Sequence, residues 1–326
     1  MITFALATLK TNKPISMMKK ILATIATLVV ALGTVSAQDL AAVTELYNSG
    51  AEAISVDKAS ALSSFEQALK LAEALGEEGQ EIVANCKNII PNLKLSLAKD
   101  LVKESKFDEA IAALQAVQKV AEAYEAFSVV DEAAGLIPQI KLSKANSLYK
   151  AKDFDGAAAA FKEILDADPT DGNAAFFMGA ALLSGGKNDE AKAAFETAAA
   201  NGQEAKANKQ LGNIYLKEAS AALKAKKFAD AVSAAVKANE YAPNAQALQV
   251  AGQASQLAGK NNDAIKYFEQ YLEAAPTAAN AGAIAYTVGA LYQTAKNNAK
   301  AKEFYTKALS DPKYGAEAKK MLDALK

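Results

Sequence analysis

The sequence contains no arginine, no histidine and no tryptophan, and it has a single cysteine. Without histidine, the chain cannot form a Ser-His-Asp or Cys-His catalytic group, because both need an imidazole that exchanges protons near neutral pH. Without arginine, it has no guanidinium group for bidentate binding of phosphate or carboxylate. A single cysteine excludes an internal disulfide, and the lack of histidine removes the other usual zinc ligand. The sequence therefore predicts a protein that is not an enzyme and has no metal and no cofactor.

Alanine is the most abundant residue, with 76 copies among the 326 positions. Since alanine has the highest intrinsic helix propensity, this composition favours an all-α fold. The 36 basic residues are all lysine and stand against 37 acidic residues, so the net charge is −1. A nearly neutral chain has no strong electrostatic attraction for nucleic acid, and we expect no nucleic-acid partner.

The N-terminal segment has the pattern of an export signal. Residues 18–20, Met-Lys-Lys, form a short positive start, residues 21–32 form an apolar run, and residues 35–37, Val-Ser-Ala, place small side chains where signal peptidase reads. This run is shorter than the roughly 20 residues that a membrane-spanning helix needs. Residues 1–37 are therefore interpreted as an upstream extension and a cleavable signal peptide. The start codon stays open among three methionines: Met1, Met17 and Met18.

The remaining chain, residues 38–326, carries 32 lysines and 37 acidic residues, which gives a net charge of −5. We expect no transmembrane segment after cleavage, and Cys86 lies too far from the cleavage point to carry a lipid anchor. The protein is therefore predicted to be exported and bacterial, either periplasmic or secreted. Cys86 itself is interpreted as a small buried hydrophobic residue, with an exposed thiol that pairs with a partner as the alternative.

A repeat with fixed internal spacing runs along this part of the chain. Gly179, Gly252 and Gly289 are each followed by an alanine twelve residues later and by an aromatic residue four positions further on. Steps of three and four keep side chains on one helical face, and the longer step crosses a turn, so each unit is predicted to be two antiparallel helices. The glycine is expected to face the alanine, and the ring to fill the space toward the next pair. Seven such units are counted.

These spacings resemble the tetratricopeptide repeat (TPR) family, whose 34-residue unit carries a small residue in its first helix and an alanine and an aromatic residue in its second. The step from Ala157 to Ala191 is 34 residues, and residues 211–215, Leu-Gly-Asn-Ile-Tyr, are similar to the family's leucine-glycine-x-x-tyrosine signature. The resemblance covers roughly residues 40 to 310, although the family's tryptophan is absent. It implies an all-α helical-hairpin solenoid, a right-handed superhelix of about seven TPR-like units with a C-terminal capping helix.

Two departures from the regular spacing divide the chain further. Residues 90–96 return as residues 137–143, a step of 47, which predicts elongated hairpins with long helices around 69–87 and 116–134. Gly212 is separated from its alanine by nineteen residues instead of twelve, and the extra two helical turns predict a taller pair. The predicted segments are the extension and signal peptide at 1–37, elongated TPR-like hairpins at 38–137, TPRs at 138–310 and a capping helix at 311–326.

Other candidate sites have simpler explanations. Residues 166–172 are rich in aspartate, but the fifth and twelfth ligand positions of a calcium loop would be Thr170 and Phe177, so the stretch is interpreted as a turn between repeats. Asp153 and Asp155 are interpreted as helix-start residues and not as an acid–base pair. Four lysines form the densest positive cluster, which is either a solvated helix face or a site for an acidic partner: Lys217, Lys224, Lys226 and Lys227.

The first helices of stacked hairpins line a concave groove, in which exposed positions recur at steps of three and four. Four glutamines follow these steps on one predicted helix, and amide, aromatic and lysine side chains take the same positions in other units. Such a surface offers donors, acceptors and stacking faces to an extended peptide, with an ordinary solvated face as the alternative. The candidate binding residues are Gln139, Asn146, Tyr149, Phe176, Lys209, Asn213, Gln246, Gln249, Gln253, Gln256, Tyr286 and Gln293.

The sequence thus predicts a non-enzymatic, exported scaffold or adaptor that binds a protein or peptide partner of the cell envelope through this groove. A glycan- or peptidoglycan-binding envelope protein is the alternative, although tryptophan, the commonest platform for sugar rings, is missing. A hydrolase that uses carboxylates alone is a further hypothesis, but no segment outside the repeats is available to hold two converging acids. Self-association through an exposed end of the solenoid stays open.

Overall fold

The computed structural model describes residues 37–325, so the predicted extension and signal sequence up to position 36 lie outside the described residues. The described chain contains fifteen α-helices and no strand, and none of these helices is long and apolar enough to span a membrane. The helices are α1 (Ala37–Ala53), α2 (Lys58–Ala74), α3 (Gln80–Lys103), α4 (Phe107–Ala123), α5 (Phe127–Lys150), α6 (Phe154–Ala167), α7 (Gly172–Ser184), α8 (Asn188–Ala198), α9 (Glu204–Lys224), α10 (Phe228–Tyr241), α11 (Ala245–Leu257), α12 (Asn261–Ala274), α13 (Ala281–Thr294), α14 (Asn298–Ala308) and α15 (Gly315–Ala324).

The helices follow one another as seven hairpins and a single last helix, which confirms the predicted all-α repeat fold. The described residues fall into two compact units, one made of residues 37–97 and 120–126 and the other of residues 98–119 and 127–325. In the second unit, every helix from α5 to α15 packs against the next one along the chain. This order makes α5, α7, α9, α11 and α13 the first helices of their hairpins and α6, α8, α10, α12 and α14 the second helices.

The cores of four of the seven hairpins contain a contact between a glycine and an aromatic ring. A Cβ atom added to Gly179 would lie 2.9 Å from the ring of Phe195, and one added to Gly252 would lie 2.5 Å from the ring of Phe268. Both rings are almost completely buried. The same contact occurs in two further hairpins, between Gly50 and Phe65 and between Gly289 and Tyr305.

The expectation that each glycine faces the alanine twelve residues later stays a prediction. The atoms nearest to an added Cβ belong to the aromatic residue of the same hairpin, sixteen residues later. The alanine and the ring are four residues apart, so they occupy the same face of the second helix one turn from each other. Spacing alone does not decide which of the two lies opposite the glycine, but the ring is the larger group and fills the room that the missing Cβ leaves.

Seven of the turns between helices share one three-residue geometry, in which the central residue has a positive φ. In the turn after α9, Lys226 takes φ +59°, its N–H donates to the carbonyl of Leu223, and the N–H of Lys227 donates to the carbonyl of Ala222. These bonds satisfy the last carbonyls of the helix. Glycine takes the central place at Gly259, but five of the seven turns have a residue with a side chain there: Ser105, Glu125, Lys152, Lys226 and Lys296.

The long helices of the N-terminal half lie elsewhere than predicted. They are α3 and α5, with 24 residues each, whereas both predicted spans cross a turn. Within 69–87 the helix breaks at Gly76, which takes φ +61°, and within 116–134 it breaks at Glu125, which takes φ +59°. A left-handed residue with a side chain, such as Glu125, gives no clear sequence signal because most residue types disfavour that conformation.

Proline lies inside both long helices, at Pro91 in α3 and Pro138 in α5. Proline normally ends or kinks a helix because it lacks the N–H group that bonds to the preceding turn. The predicted boundary between residues 137 and 138 falls inside α5, so the two predicted segments share this helix.

The predicted tall hairpin is confirmed, since α9 has 21 residues whereas α7 and α11 have 13 each. In this hairpin the position of the aromatic residue is taken by an alanine, Ala235. A Cβ added to Gly212 would lie near a different residue, 2.9 Å from the Cβ of Ala242.

Cys86 is buried in α3, as predicted, and burial raises the pKa of its thiol to about 11. The last helix, α15, packs through buried Ala318 into the same hydrophobic cluster as α14.

Replacement of a left-handed lysine by glycine should stabilise the protein. We expect Lys226→Gly to raise the free energy of unfolding by about 1 kcal/mol, because glycine adopts positive φ without steric cost. The control is Lys217→Gly, the same change at an exposed position in the interior of α9, which should lower that energy by about 1 kcal/mol. Urea unfolding followed by circular dichroism measures both, and a loss of stability in the Lys226 variant would contradict the turn geometry.

The glycine–ring contact predicts opposite effects for two glycine-to-alanine changes. Gly252→Ala should lower the free energy of unfolding by about 2 kcal/mol, because the new methyl group overlaps the ring of Phe268. Gly135→Ala in α5 should raise it by about 0.5 kcal/mol, because no atom lies within 4 Å of the new Cβ. The same urea titration compares the two variants, and equal effects would argue against the contact.

Ser255 on α11 is fully buried, and its hydroxyl has no hydrogen-bond partner in the described part of the chain. A buried hydroxyl without a partner has lost its water contacts and gained nothing in return. We therefore expect Ser255→Ala to raise the unfolding free energy by about 1 kcal/mol. Gln256→Ala, one position further along at an exposed site, should change it by less than about 0.5 kcal/mol. A destabilised Ser255 variant would mean that the hydroxyl has a partner.

Candidate functional site

The twelve predicted binding residues all lie on first helices of the second unit. Neighbouring first helices come close enough for side chains to meet. The hydroxyl of Tyr149 on α5 lies 3.2 Å from that of Ser184 on α7, and α9 packs against α11. We call the exposed and half-buried side chains of α5, α7, α9, α11 and α13 the first-helix face.

Four glutamines form one row along α11, as the spacing predicts. Gln246 and Gln256 are exposed, and Gln249 and Gln253 are half-buried. The opposite side of the helix is buried and apolar except for Ser255, so packing fixes which side faces the solvent. The side-chain amides of the four glutamines make no hydrogen bond within the described residues, which leaves their donors and acceptors available to a ligand.

The three predicted residues of α5 differ in exposure and in hydrogen bonding. The amide of Gln139 donates to the carbonyl of Gly135 at 3.2 Å, and Asn146 is half-buried. Tyr149 remains 36 % exposed, with its ring in edge-to-face contact with Phe154 at 5.5 Å. Tyr149 is therefore the most available of the three predicted stacking rings.

The other two predicted stacking rings are partly used in packing. Phe176 lies 5.5 Å from Phe195 between ring centroids, and Tyr286 lies 5.5 Å from Tyr305 and 5.1 Å from Tyr314. Both Phe176 and Tyr286 are half-buried, and burial raises the pKa of the Tyr286 hydroxyl. Only part of each ring remains for a ligand.

Gln293 is also engaged, since its carbonyl oxygen accepts a hydrogen bond of 2.7 Å from the hydroxyl of Tyr305. Its amide nitrogen makes no bond within the described residues. Lys209 and Asn213, in contrast, are both exposed on α9. Among the twelve predicted residues, the α11 amides, Tyr149 and the two α9 residues thus remain available to a ligand.

The sequence analysis missed the apolar part of this face. Leu142 on α5 is 43 % exposed, and Leu257 at the end of α11 is 62 % exposed. Leu142 lies three residues after Gln139 and four before Asn146, so the stepping rule that selected those two also includes it. Only polar and aromatic side chains were considered as ligand contacts, and the leucines were therefore left out.

Gln139 borders an open, mainly apolar cavity of about 240 Å³ between α3, α4 and α5. Val102, Leu114 and Leu136 supply its aliphatic lining, and Lys99 and Ser143 lie at its edge. A cavity of this kind accepts one aliphatic side chain, because the contact removes apolar surface from water.

Carboxylates that had been considered for catalysis or calcium binding have structural partners. Asp153 accepts the N–H of Gly156 at 2.9 Å and caps α6, and Asp155 forms an ion pair with Lys187. Asp168 accepts two hydrogen bonds from Thr170, which lower the pKa of its carboxyl group. Among the described residues, no group of three or more potential metal ligands is brought together.

Comparison with known proteins finds three matching family models, all described as tetratricopeptide repeat, over residues 95–172, 148–214 and 245–277. Among solved structures, the MamA protein is 20% identical and covers 55% of this chain and 94% of its own, with a TM-score of 0.34. YrrB, a TPR protein with an unusual peptide-binding site, is 24% identical and covers 56% of this chain and 91% of its own, with a TM-score of 0.31. A thermophilic TPR protein of Thermus thermophilus is 21% identical and covers 58% of this chain and 98% of its own, with a TM-score of 0.26. A comparison with curated proteins finds no match.

The family matches fall on the segments whose spacing resembles the family. Residues 148–214 contain the hairpin of α7 and α8 with its Gly179–Phe195 contact, and residues 245–277 contain the hairpin of α11 and α12. TPR solenoids expose extended surfaces for binding and typically serve as protein-interaction scaffolds. Repeat spacing, hairpin order and family matches agree, and the chain is a member of the tetratricopeptide repeat family.

Proposed function

We propose that this TPR protein is an exported, non-enzymatic scaffold that binds an extended segment of a cell-envelope protein through the first-helix face. The observation that carries the proposal is the row of four glutamines on α11, whose amides have no partner within the described residues. Each amide offers both a donor and an acceptor, which are the groups that an extended peptide main chain presents.

Export is supported by the positive, apolar and small-residue order of residues 18–37. An exported chain meets its partner in the periplasm or outside the cell, and the proposal takes the partner from there. The net charge of −5 for residues 38–326 fits a chain that remains soluble there.

A protein ligand is favoured over a glycan by the aromatic side chains of the face. Sugar rings stack on flat, accessible aromatic surfaces, and the chain has no tryptophan. Phe176 and Tyr286 are half-buried against other rings. Of the three predicted stacking rings, only Tyr149 is exposed, and a single exposed ring suits one contact with a peptide.

Affinity capture tests the proposal. The tagged chain, expressed with its own signal in its native host, should enrich an envelope protein, and the variant Gln249→Ala, Gln253→Ala, Gln256→Ala should lose at least about 90 % of it, because three hydrogen-bonding amides of about 1 kcal/mol each are removed. The control is Gln115→Ala, Gln118→Ala, Gln270→Ala, which removes three glutamines from the second helices α4 and α12.

The control variant should capture as much partner as the wild type, and both variants should unfold at the same denaturant concentration. Equal capture by all three proteins would contradict the assignment of the first-helix face. Added peptidoglycan fragments that displace the captured protein would instead favour a glycan ligand.

A further inference from the structure

A straight row of lysines runs along α9, the 21-residue first helix of the tall hairpin. Lys206, Lys209, Lys217 and Lys224 are all exposed, and exposed Asn213 lies in the same row. Their separations of three, eight and seven residues keep them on one side of the helix. At 1.5 Å per residue the row is about 27 Å long. We call these four lysines the lysine ridge.

The lysine ridge has no neutralising groups of its own. None of its members forms an ion pair within the described residues, and the neighbouring carboxylate Glu218 is taken by Lys192 of α8 at 2.9 Å. Lysines on the second helices are in contrast mostly paired with carboxylates: Lys162 with Asp166, Lys192 with Asp189 and Glu218, and Lys300 and Lys307 with Glu303.

Charge is also divided between the two sets of helices. The first helices α5, α7, α9, α11 and α13 contain seven lysines and four acidic residues, a net charge of +3. The second helices α6, α8, α10, α12 and α14 contain seven lysines and twelve acidic residues, a net charge of −5. α7, α11 and α13 contain no charged residue, so the positive charge of the first-helix face is concentrated on α9 and α5. An acidic protein therefore presents a basic binding surface.

We infer that the first-helix face selects an acidic peptide segment, whose carboxylates lie along the lysine ridge while its main chain bonds to the glutamines of α11. This inference rests on the proposed function and adds the chemistry of the partner. The two rows lie on neighbouring helices, because α9 packs against α11. The ridge corresponds to about eight residues of extended chain at 3.3 Å per residue.

The glutamine row decides between a peptide and other anionic polymers. A polyphosphate offers only acceptor oxygens to the adjacent uncharged amides, whereas a peptide main chain offers both donors and acceptors. Lysine ammonium groups attract carboxylates without the planar geometry that arginine imposes. The ridge therefore favours acidity along a segment over one fixed carboxylate position.

Fluorescence anisotropy with labelled synthetic peptides tests the inference. The purified chain should bind a peptide of about sixteen residues with alternating glutamate and serine at least about tenfold tighter than the same peptide with glutamine in place of glutamate, and the difference should shrink as sodium chloride is raised. Lys209→Glu, Lys217→Glu, Lys224→Glu should weaken binding of the glutamate peptide at least about tenfold.

The matched control is Lys70→Glu, Lys119→Glu, Lys319→Glu, which changes the net charge equally at exposed lysines of α2, α4 and α15. It should bind within about twofold of the wild type. If the ridge variant fails to fold by circular dichroism, glutamine at the same three positions replaces glutamate and should give a smaller loss in the same direction.

Equal losses in the ridge and control variants, or equal binding of the glutamate and glutamine peptides, would overturn the inference. Binding of inorganic polyphosphate without binding of the glutamate peptide would overturn the peptide class. The proposed function fails separately, when the glutamine variants leave partner capture unchanged. Capture that depends on the glutamines but not on the ridge would leave the scaffold proposal standing and the acidic specificity wrong.

Discussion

The contact between a glycine of the first helix and an aromatic ring of the second sets the geometry of the regular hairpins. In the hairpin of α7 and α8, the ring of Phe195 occupies the place of a Cβ on Gly179. Small buried alanines fill the remaining space beside the ring. On α11 the glycine belongs to the buried side of the helix, and the glutamine row lies outside that side.

The two sets of helices have different roles as a consequence. The second helices α6, α8, α10, α12 and α14 hold twelve acidic residues against four on the first helices, and their own lysines pair with three of them. The first helices carry amides, rings, leucines and the lysines of the ridge. α11 illustrates this separation, since it has four glutamines on one side, a buried apolar surface on the other and no charged residue. Charged and uncharged polar side chains are thus separated between the two helices of this repeat.

Much of this architecture could be predicted from spacing alone. The seven hairpins and the long α9 follow from steps of three, four, twelve and nineteen residues, because these steps reflect helical periodicity directly. The glycine's partner could not be decided, since an alanine and a ring one turn apart share a face. The break at Glu125 was missed because its left-handed conformation is imposed by the turn and not favoured by glutamate. Within the site, the glutamine row was predicted, whereas the burial of Phe176 and Tyr286 depends on rings such as Phe195 and Tyr314, whose packing the repeat spacing does not give.

The central claim is that the partner lies on the first helices of the second unit. Site-specific photo-crosslinking tests it most directly, with benzoylphenylalanine placed either at Gln253 on α11 or at Gln270 on α12, the two helices of one hairpin. Illumination of cells of the native host should produce a covalent adduct with one partner protein from position 253 and none from position 270. Adducts from position 270 alone, or the same adducts from both positions, would contradict the account.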